Sequence, residues 1–394
     1  MKIKSVDVMM LQSESIRMSK PVLCRINTDE EIYGYGEAGA TFLLGSESVF
    51  TMIQEMAPKI IGMDPMANEV IWSKLFDDCY WTKGNGAILM SAVSALDTAV
   101  WDIKGKALGK PLYALLGGRF NDKIRCYASQ LQFGFSDHVV PQFTLDDYRN
   151  ICNVAMGKGY SAIKIDLMKF GEKPGEALCG NGNFGHLNAH ILKLLESRIA
   201  VIRETVGPEC DIILEQHCAT TLNTAIQVAK VMEPFNLMYM EEPLAPLNPE
   251  LTSILSKSTT IPLTTGERSY LREGFLPFFK DRSLSMIQPD LGLCGGITEG
   301  KKICDMANTY DIGVQAHVCG TPVSVATGLH LECSIPNFTI HETHVLSLAK
   351  EFKSWGTVDF TPVNGYLQVP EGPGLGVELT DAFLDKATIN TVCE

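Results

Sequence analysis

The sequence predicts an α/β protein, a closed parallel barrel of β/α repeats with a smaller α+β unit packed beside it. Three observations carry this. The chain has 394 residues, and one β/α barrel takes about 250, which leaves room for a second unit. From about Tyr127 short β-rich runs alternate with helical stretches, with strands expected near 127–131, 160–166, 211–217, 236–242, 261–267, 284–290, 313–318 and 338–342. Such alternation means parallel strands joined by right-handed crossovers, and eight of them suffice to close a barrel. Ahead of this rhythm the chain reads differently, as a meander followed by helices.

In that first part, IKSVDVMML and PVLCRINT have strand-like content, and the polar DEEIYGYGEAG that follows has glycines expected at bends. Residues 65–115 read as helical. From Ile88 to Leu108 an apolar face recurs at threes and fours through Leu89, Val93, Leu96, Val100 and Ile103, and Gly109-Lys110-Pro111 ends the helix. The expected division is a capping unit at 1–125, a barrel at 126–362, and a Gly/Pro-rich tail at 363–394 that returns to the capping unit. One connection exceeds what a βα turn needs: MKFGEKPGEALCGNGNFGH carries five glycines between 171 and 185, and reads either as an active-site lid or as surface decoration.

Composition narrows the function. Hydrophobic residues at 45% and charged residues at 20% fit a soluble globular chain, and the net charge of −13 argues against nucleic acid or an anionic membrane as partner. The N-terminal apolar stretch is short and broken by Asp7, unlike a signal peptide, and no run of about 18 apolar residues follows. Twelve cysteines without a CxxC pair suggest reduced thiols and a cytoplasmic location.

In a parallel barrel, distant residues converge at the C-terminal rim of the strands. The third strand, DIILEQH, ends in Glu215 and His217; the fourth, NLMYMEEP, in Glu241 and Glu242; the fifth, IPLTTGE, in Glu267. Carboxylates this close repel unless a cation neutralises them, and oxygen ligation by Glu215, Glu241 and Glu267 suits Mg²⁺. The sixth strand ends at Asp290 and the seventh contains His317. A carboxylate on an imidazole fixes its tautomer and makes His317 a capable general base. Glu342 on the eighth strand can hydrogen-bond a substrate carboxylate if protonated, or orient a neighbour if not. On the second strand, Lys164 can neutralise a developing oxyanion. Asp166, two residues on, reads as the ion-pair partner of Lys164 or a ligand for sugar hydroxyls. Glu242 and Trp81 join Asp166 as candidate substrate contacts; Tyr80 and Trp81 either wall the cavity or pack in the capping core. Arg17, Lys20 and His186 are further contacts to consider, and the capping loops near 14–20 and 42–48 are expected to select the substrate.

The series 215, 241, 267, 290 and 317, with spacings of 26, 26, 23 and 27 residues, resembles the enolase superfamily and within it the mandelate racemase subgroup. SALDTAVWDIKGKALGKPLYALLGG at 94–118 is similar to that family's capping-to-barrel junction, and PGLGVEL at 373–379 to its C-terminal return. The resemblance implies a (β/α)7β barrel of TIM type with an enolase-like capping domain. It also implies one Mg²⁺ per subunit, removal of the proton α to a carboxylate, and a homo-oligomer acting on a small acid sugar. His217 stands as in the subgroup's acid-sugar dehydratases, where that histidine protonates a departing β-hydroxyl. The implied product is a 2-keto-3-deoxy sugar acid. Glu215 replaces the more common aspartate, and Gln288-Pro289-Asp290 lacks the arginine of the mannonate dehydratase branch, so a galactonate- or gluconate-dehydratase-like site is the nearer match.

A racemase or epimerase on the same scaffold is the alternative, with Asp166 in place of the second lysine of the racemase-like pattern counting against it. A non-catalytic metal-bound sensor is an alternative of another class. Gly180 to Gly185 fits G-x-G-x-x-G, but it trails the second strand by too far to aim backbone amides at a pyrophosphate.

Overall fold

The computed structural model describes residues 1–176, 178 and 185–393. Three antiparallel strands open the chain: β1 (Ile3–Met10), β2 (Val22–Thr28) and β3 (Tyr33–Ala38). Three helices follow, α1 (Ser46–Met56), α2 (Asn68–Asp77) and α3 (Ala87–Leu108). The predicted face of α3 is buried at Val93, Leu96, Val100 and Ile103, and Gly109 ends the helix at φ 61°, a conformation glycine adopts without a Cβ clash. The glycines of YGYGEA do not mark bends. They lie within β3, where a Cβ on Gly34 or Gly36 would collide with the α3 backbone at Ala99 or Ala95. Helix and strand pack closer than any side chain allows.

All eight predicted barrel strands form: β4 (Ile124–Ser129), β5 (Ala162–Ile165), β6 (Asp211–Glu215), β7 (Tyr239–Glu241), β8 (Leu263–Thr265), β9 (Met286–Ile287), β10 (Gly313–Val314) and β11 (His341–His344). They pair in parallel in chain order, and β11 returns to β4 through His341 opposite Cys126. The parallel bridge between Val314 and Phe338 closes the ring. A helix crosses over between each successive pair, from Leu145–Gly157 to Pro322–Cys333. This is the (β/α)7β barrel expected. Tyr127, Ala162, Ile213, Tyr239, Met286 and Ile340 fill its interior, so the barrel is a packed core with chemistry confined to its rim. After β11 the chain adds β12 (Tyr366–Leu367) antiparallel to β4, and β13 (Thr388–Val392) joins the capping sheet beside β1. No helix of the described residues is long and apolar enough to cross a membrane.

Two buried carboxylates, Glu37 and Asp97, tie the capping unit to the barrel, and a third, Asp102, ties it to the C-terminal return. Glu37 accepts hydrogen bonds from Thr321 N, Thr321 Oγ1 and Ser324 N at the start of helix Pro322–Cys333. Asp97 accepts from Thr298 N and Oγ1 in the first turn of helix Gly296–Thr309. Asp102 accepts from Tyr35 N and Leu375 N, joining α3 to the C-terminal return. A carboxylate on free N–H groups at a helix start satisfies donors that have no partner within the helix.

Candidate active site

The regular strands end earlier than the apolar runs suggest, and the site residues stand on the turns just beyond. After β6 the N–H groups of Gln216 and His217 both donate to Glu215 Oε1 at 2.9 Å. They hold a turn in which His217 has φ 42°. Glu242, just past β7, has φ 44°. Left-handed backbone at non-glycine residues costs about 1–3 kcal/mol each and collects at functional rims.

At the centre lies Lys164, fully buried on β5. Its Nζ is 2.6 Å from Glu241 Oε1, 2.9 Å from Glu342 Oε1 and 3.1 Å from Glu215 Oε2. Burial alone would lower the lysine's pKa, but Glu241, Glu342 and Glu215 hold it well above its ordinary value. Glu342 also accepts from Ser129 Oγ and, at 3.0 Å, from Val318 N. Burial opposes its ionisation, yet Lys164 and His317 hold it below the ordinary range, so it orients its neighbours as a carboxylate.

Asp166 does not pair with Lys164. β5 ends at Ile165, and beyond it the Asp166 carboxylate reaches His217, Oδ2 to Nδ1 2.8 Å, while Oδ1 accepts from Met168 N. Gln132 Oε1 accepts from Asp166 N, Gln132 in turn donates to Gln130 Oε1, and Gln130 Nε2 lies 3.2 Å from His217 Nε2. Sequence reasoning missed both glutamines; polar residues closing the first barrel strand were the available signal. Burial works to lower the His217 pKa, but Glu215 and Asp166 raise it to about 9.

His317 repeats the arrangement across the barrel, four strands away. Its Nδ1 lies 2.7 Å from Asp290 Oδ2, and its Nε2 3.2 Å from Glu267 Oε2. Against the effect of burial, Glu267, Glu342 and Asp290 raise its pKa to about 10. Two imidazoles, each fixed through Nδ1 by an aspartate, thus stand four strands apart on a rim that carries a cluster of glutamates.

Of the three expected ligands, Glu215 and Glu241 sit opposite each other in the β6–β7 register and share Lys164. Glu267 turns to His317 and to Arg268, which also binds Glu242. Among the described residues no three His, Cys, Asp or Glu side chains stand in metal-holding arrangement. The donors nevertheless fit a hard cation in kind. Glu241 Oε2 is buried without a hydrogen-bond partner, and Glu215 Oε2 faces Lys164 without hydrogen-bond alignment. Burial and the charge of Glu215 push Glu241 well above its ordinary pKa, the mark of carboxylates with too little positive charge among them.

Trp81 and Tyr80 are 75% and 85% exposed and stack edge to face, so neither packs in the capping core. Lys20 pairs with Glu47. Buried Arg198 donates to Leu167 O and Phe170 O and so anchors the start of the glycine-rich insertion; residues 177 and 179–184, and with them most of the lid and G-x-G-x-x-G readings, lie outside the described residues.

Residues 4–117 match the family described as mandelate racemase / muconate lactonizing enzyme, N-terminal domain, and residues 148–383 match enolase C-terminal domain-like. The D-galactonate dehydratase of Xanthomonas campestris pv. campestris is 31% identical over 375 residues, covering 93% of this chain and 90% of that protein. That of Ralstonia nicotianae is 30% identical, covering 91% and 89%. Among solved structures, an enolase superfamily member from Salmonella Typhimurium superposes with TM-score 0.95 at 44% identity, over 99% of each chain. The 3,6-anhydro-D-galactonate cycloisomerase of Zobellia galactanivorans superposes with TM-score 0.80 at 26% identity, over 98% of this chain and 100% of that one. The chain belongs to the mandelate racemase and muconate lactonizing enzyme family of the enolase superfamily.

Proposed function

We propose that this protein is a hydro-lyase that dehydrates a sugar acid, an aldonate or aldarate, to the 2-keto-3-deoxy acid. The observation that carries the reading is the pair of aspartate-fixed histidines four strands apart on the barrel rim that also bears the Lys164 cluster. The D-galactonate dehydratase relatives support the same class of reaction.

With Nδ1 of each ring tied to an aspartate, Nε2, beside Gln130 in His217 and beside Glu267 in His317, is the nitrogen that meets the substrate. His317 Nε2 takes the proton from the carbon α to the carboxylate. The bond from the β carbon to its hydroxyl oxygen then breaks, and His217 Nε2 gives that oxygen the proton with which it leaves as water. The enol left behind tautomerises to the ketone. Lys164 holds Glu215, Glu241 and Glu342 in place and contributes positive charge beneath the reacting carboxylate. Glu215, Glu241 and Glu267 would hold Mg²⁺, which when bound supplies positive charge opposite the substrate carboxylate and offsets the Glu267 charge that keeps His317 protonated.

The paired histidines also suit a two-base isomerase, which would exchange the α proton without losing water. Incubation with Mg²⁺ and a panel of aldonic and aldaric acids in D2O separates the readings. A 2-keto-3-deoxy product is expected. Deuterium at the α carbon without keto product would establish the isomerase instead, and neither signal across the panel would leave a non-catalytic scaffold.

A further inference from the structure

A cavity opens where the capping loops meet the ends of the seventh and eighth barrel strands. Its walls include Ser19, Thr41 and Phe42 from the capping unit, Cys319 two residues past His317, and His344 two residues past Glu342. The two capping loops are tied together over it, Lys20 N donating to Thr41 O at 3.1 Å and Leu43 N to Met18 O at 2.7 Å. Through Cys319 and His344, which follow His317 and Glu342 by two residues each, the cavity lies next to the catalytic rim.

The charge of the wall decides what the cavity can hold. The lining holds no lysine or arginine. The two cations of the neighbouring loop face elsewhere: Arg17 lines a surface groove with Gln12, Ser13 and Glu14, and Lys20 lines one with Glu14 and Lys386. Lys353, on an adjoining cavity that also touches His344, is spent on Asp359 at 2.9 Å. Glu37, the acidic wall residue, is engaged by Thr321 and Ser324.

Beside the hydroxyls of Ser19 and Thr41, His344 supplies the nitrogen left to meet a ligand. Its Nδ1 accepts from Leu346 N at 3.2 Å, which places the ring hydrogen on Nε2, and Nε2 has no protein partner among the described residues. Burial lowers its pKa to about 4, so the ring is neutral near pH 7. A neutral N–H donor in a wall without cations suits a hydroxyl and penalises a carboxylate, which would be buried with no opposite charge.

We infer that the cavity seats the uncharged, hydroxylated end of the substrate, with His344 Nε2 donating to a terminal hydroxyl, and that the enzyme therefore takes aldonates and rejects the corresponding aldarates. The inference rests on the sugar-acid reading and narrows it.

The test compares acids that differ only at the far carbon, galactonate against galactarate and gluconate against glucarate, with the wild-type protein and Mg²⁺ in D2O. For whichever pair is turned over, kcat/KM for the aldonate is expected to exceed that for the aldarate by at least about 100-fold, the scale of an unpaired buried charge. His344→Phe is expected to raise KM for the aldonate about 10-fold with kcat within about threefold, and His344→Gln, which keeps an N–H donor, to recover part of the loss. Equal turnover of aldonate and aldarate would overturn the inference and leave the dehydratase reading standing, as would an unchanged KM in folded His344→Phe. If no acid gave keto product or α-deuterium, the dehydratase reading would fall and this one with it. The wild-type comparison decides the matter even if neither variant folds.

Discussion

At the scale of single residues, the second strand corrects the simplest reading of its own spacing. Two residues apart on a strand means one face, which made Asp166 the natural partner of Lys164. The strand stops at Ile165, however, and the carboxylate goes to His217 while the lysine takes three glutamates. Asp166 therefore does for His217 what Asp290 does for His317, fixing the tautomer and the aim of the ring. Asp166→Asn is expected to slow dehydration by about 100-fold or more, because an amide can present the wrong hydrogen-bonding group to Nδ1. Exchange of the α proton into D2O, the step proposed for His317, should stay within about threefold of wild type. Parallel loss of both rates would show that Asp166 acts on the whole site and not through His217. The glutamates and histidines were legible because each closes an apolar run at a strand end, and so was the pairing of Asp290 with His317; the partners of Lys164 and His217 were not, because they depend on where each ladder stops and how the chain turns there.

At the scale of elements, helix α3 was readable from its spacing and its glycine stop, whereas the carboxylates that dock it and its neighbouring strand were not. Glu37 ends a short strand and Asp97 interrupts an apolar helix face; only the folded chain reveals that each meets the first turn of a barrel helix. Burial raises both carboxyls to about 7, with Thr321 and Ser324 opposing the shift at Glu37 and Thr298 at Asp97. A carboxyl whose folded pKa exceeds its unfolded one binds more protons when folded. Its stabilising contribution is complete below the unfolded value and is lost as pH rises through about 7. Between about pH 5 and pH 8 the melting temperature of wild type relative to Glu37→Gln is therefore expected to fall. A difference that stayed constant or grew with pH would show that the helix donors outweigh burial. The glycines of β3 illustrate the same limit of sequence: a close approach by α3 and a bend ask for the same residue, and only packing distinguishes them.

At the scale of the whole molecule, alternation alone carried the barrel, because eight β/α repeats leave few ways to close. The capping sheet was harder, since β13 joins it from the far end of the chain. Closure of the barrel gathers glutamates from β6, β7 and β11 around a single lysine on β5, an arrangement that more positive charge would relieve. Mg²⁺ is accordingly expected to raise the melting temperature of the wild type, by an amount equivalent to about 2.7 kcal/mol at a hundred times its dissociation constant. Glu241→Gln should lose most of that response, and a response unaffected by this change would place the ion elsewhere. The central claim is a division of labour between two histidines on opposite sides of the barrel, and proton NMR of an accepted sugar acid in D2O tests it most directly. His317→Asn should show neither loss of the α-proton signal nor keto product; His217→Asn should lose the α-proton signal to deuterium while forming no keto product. Dehydration at the wild-type rate in either variant, or an α-proton signal that persists in His217→Asn as it does in His317→Asn, would contradict the assignment.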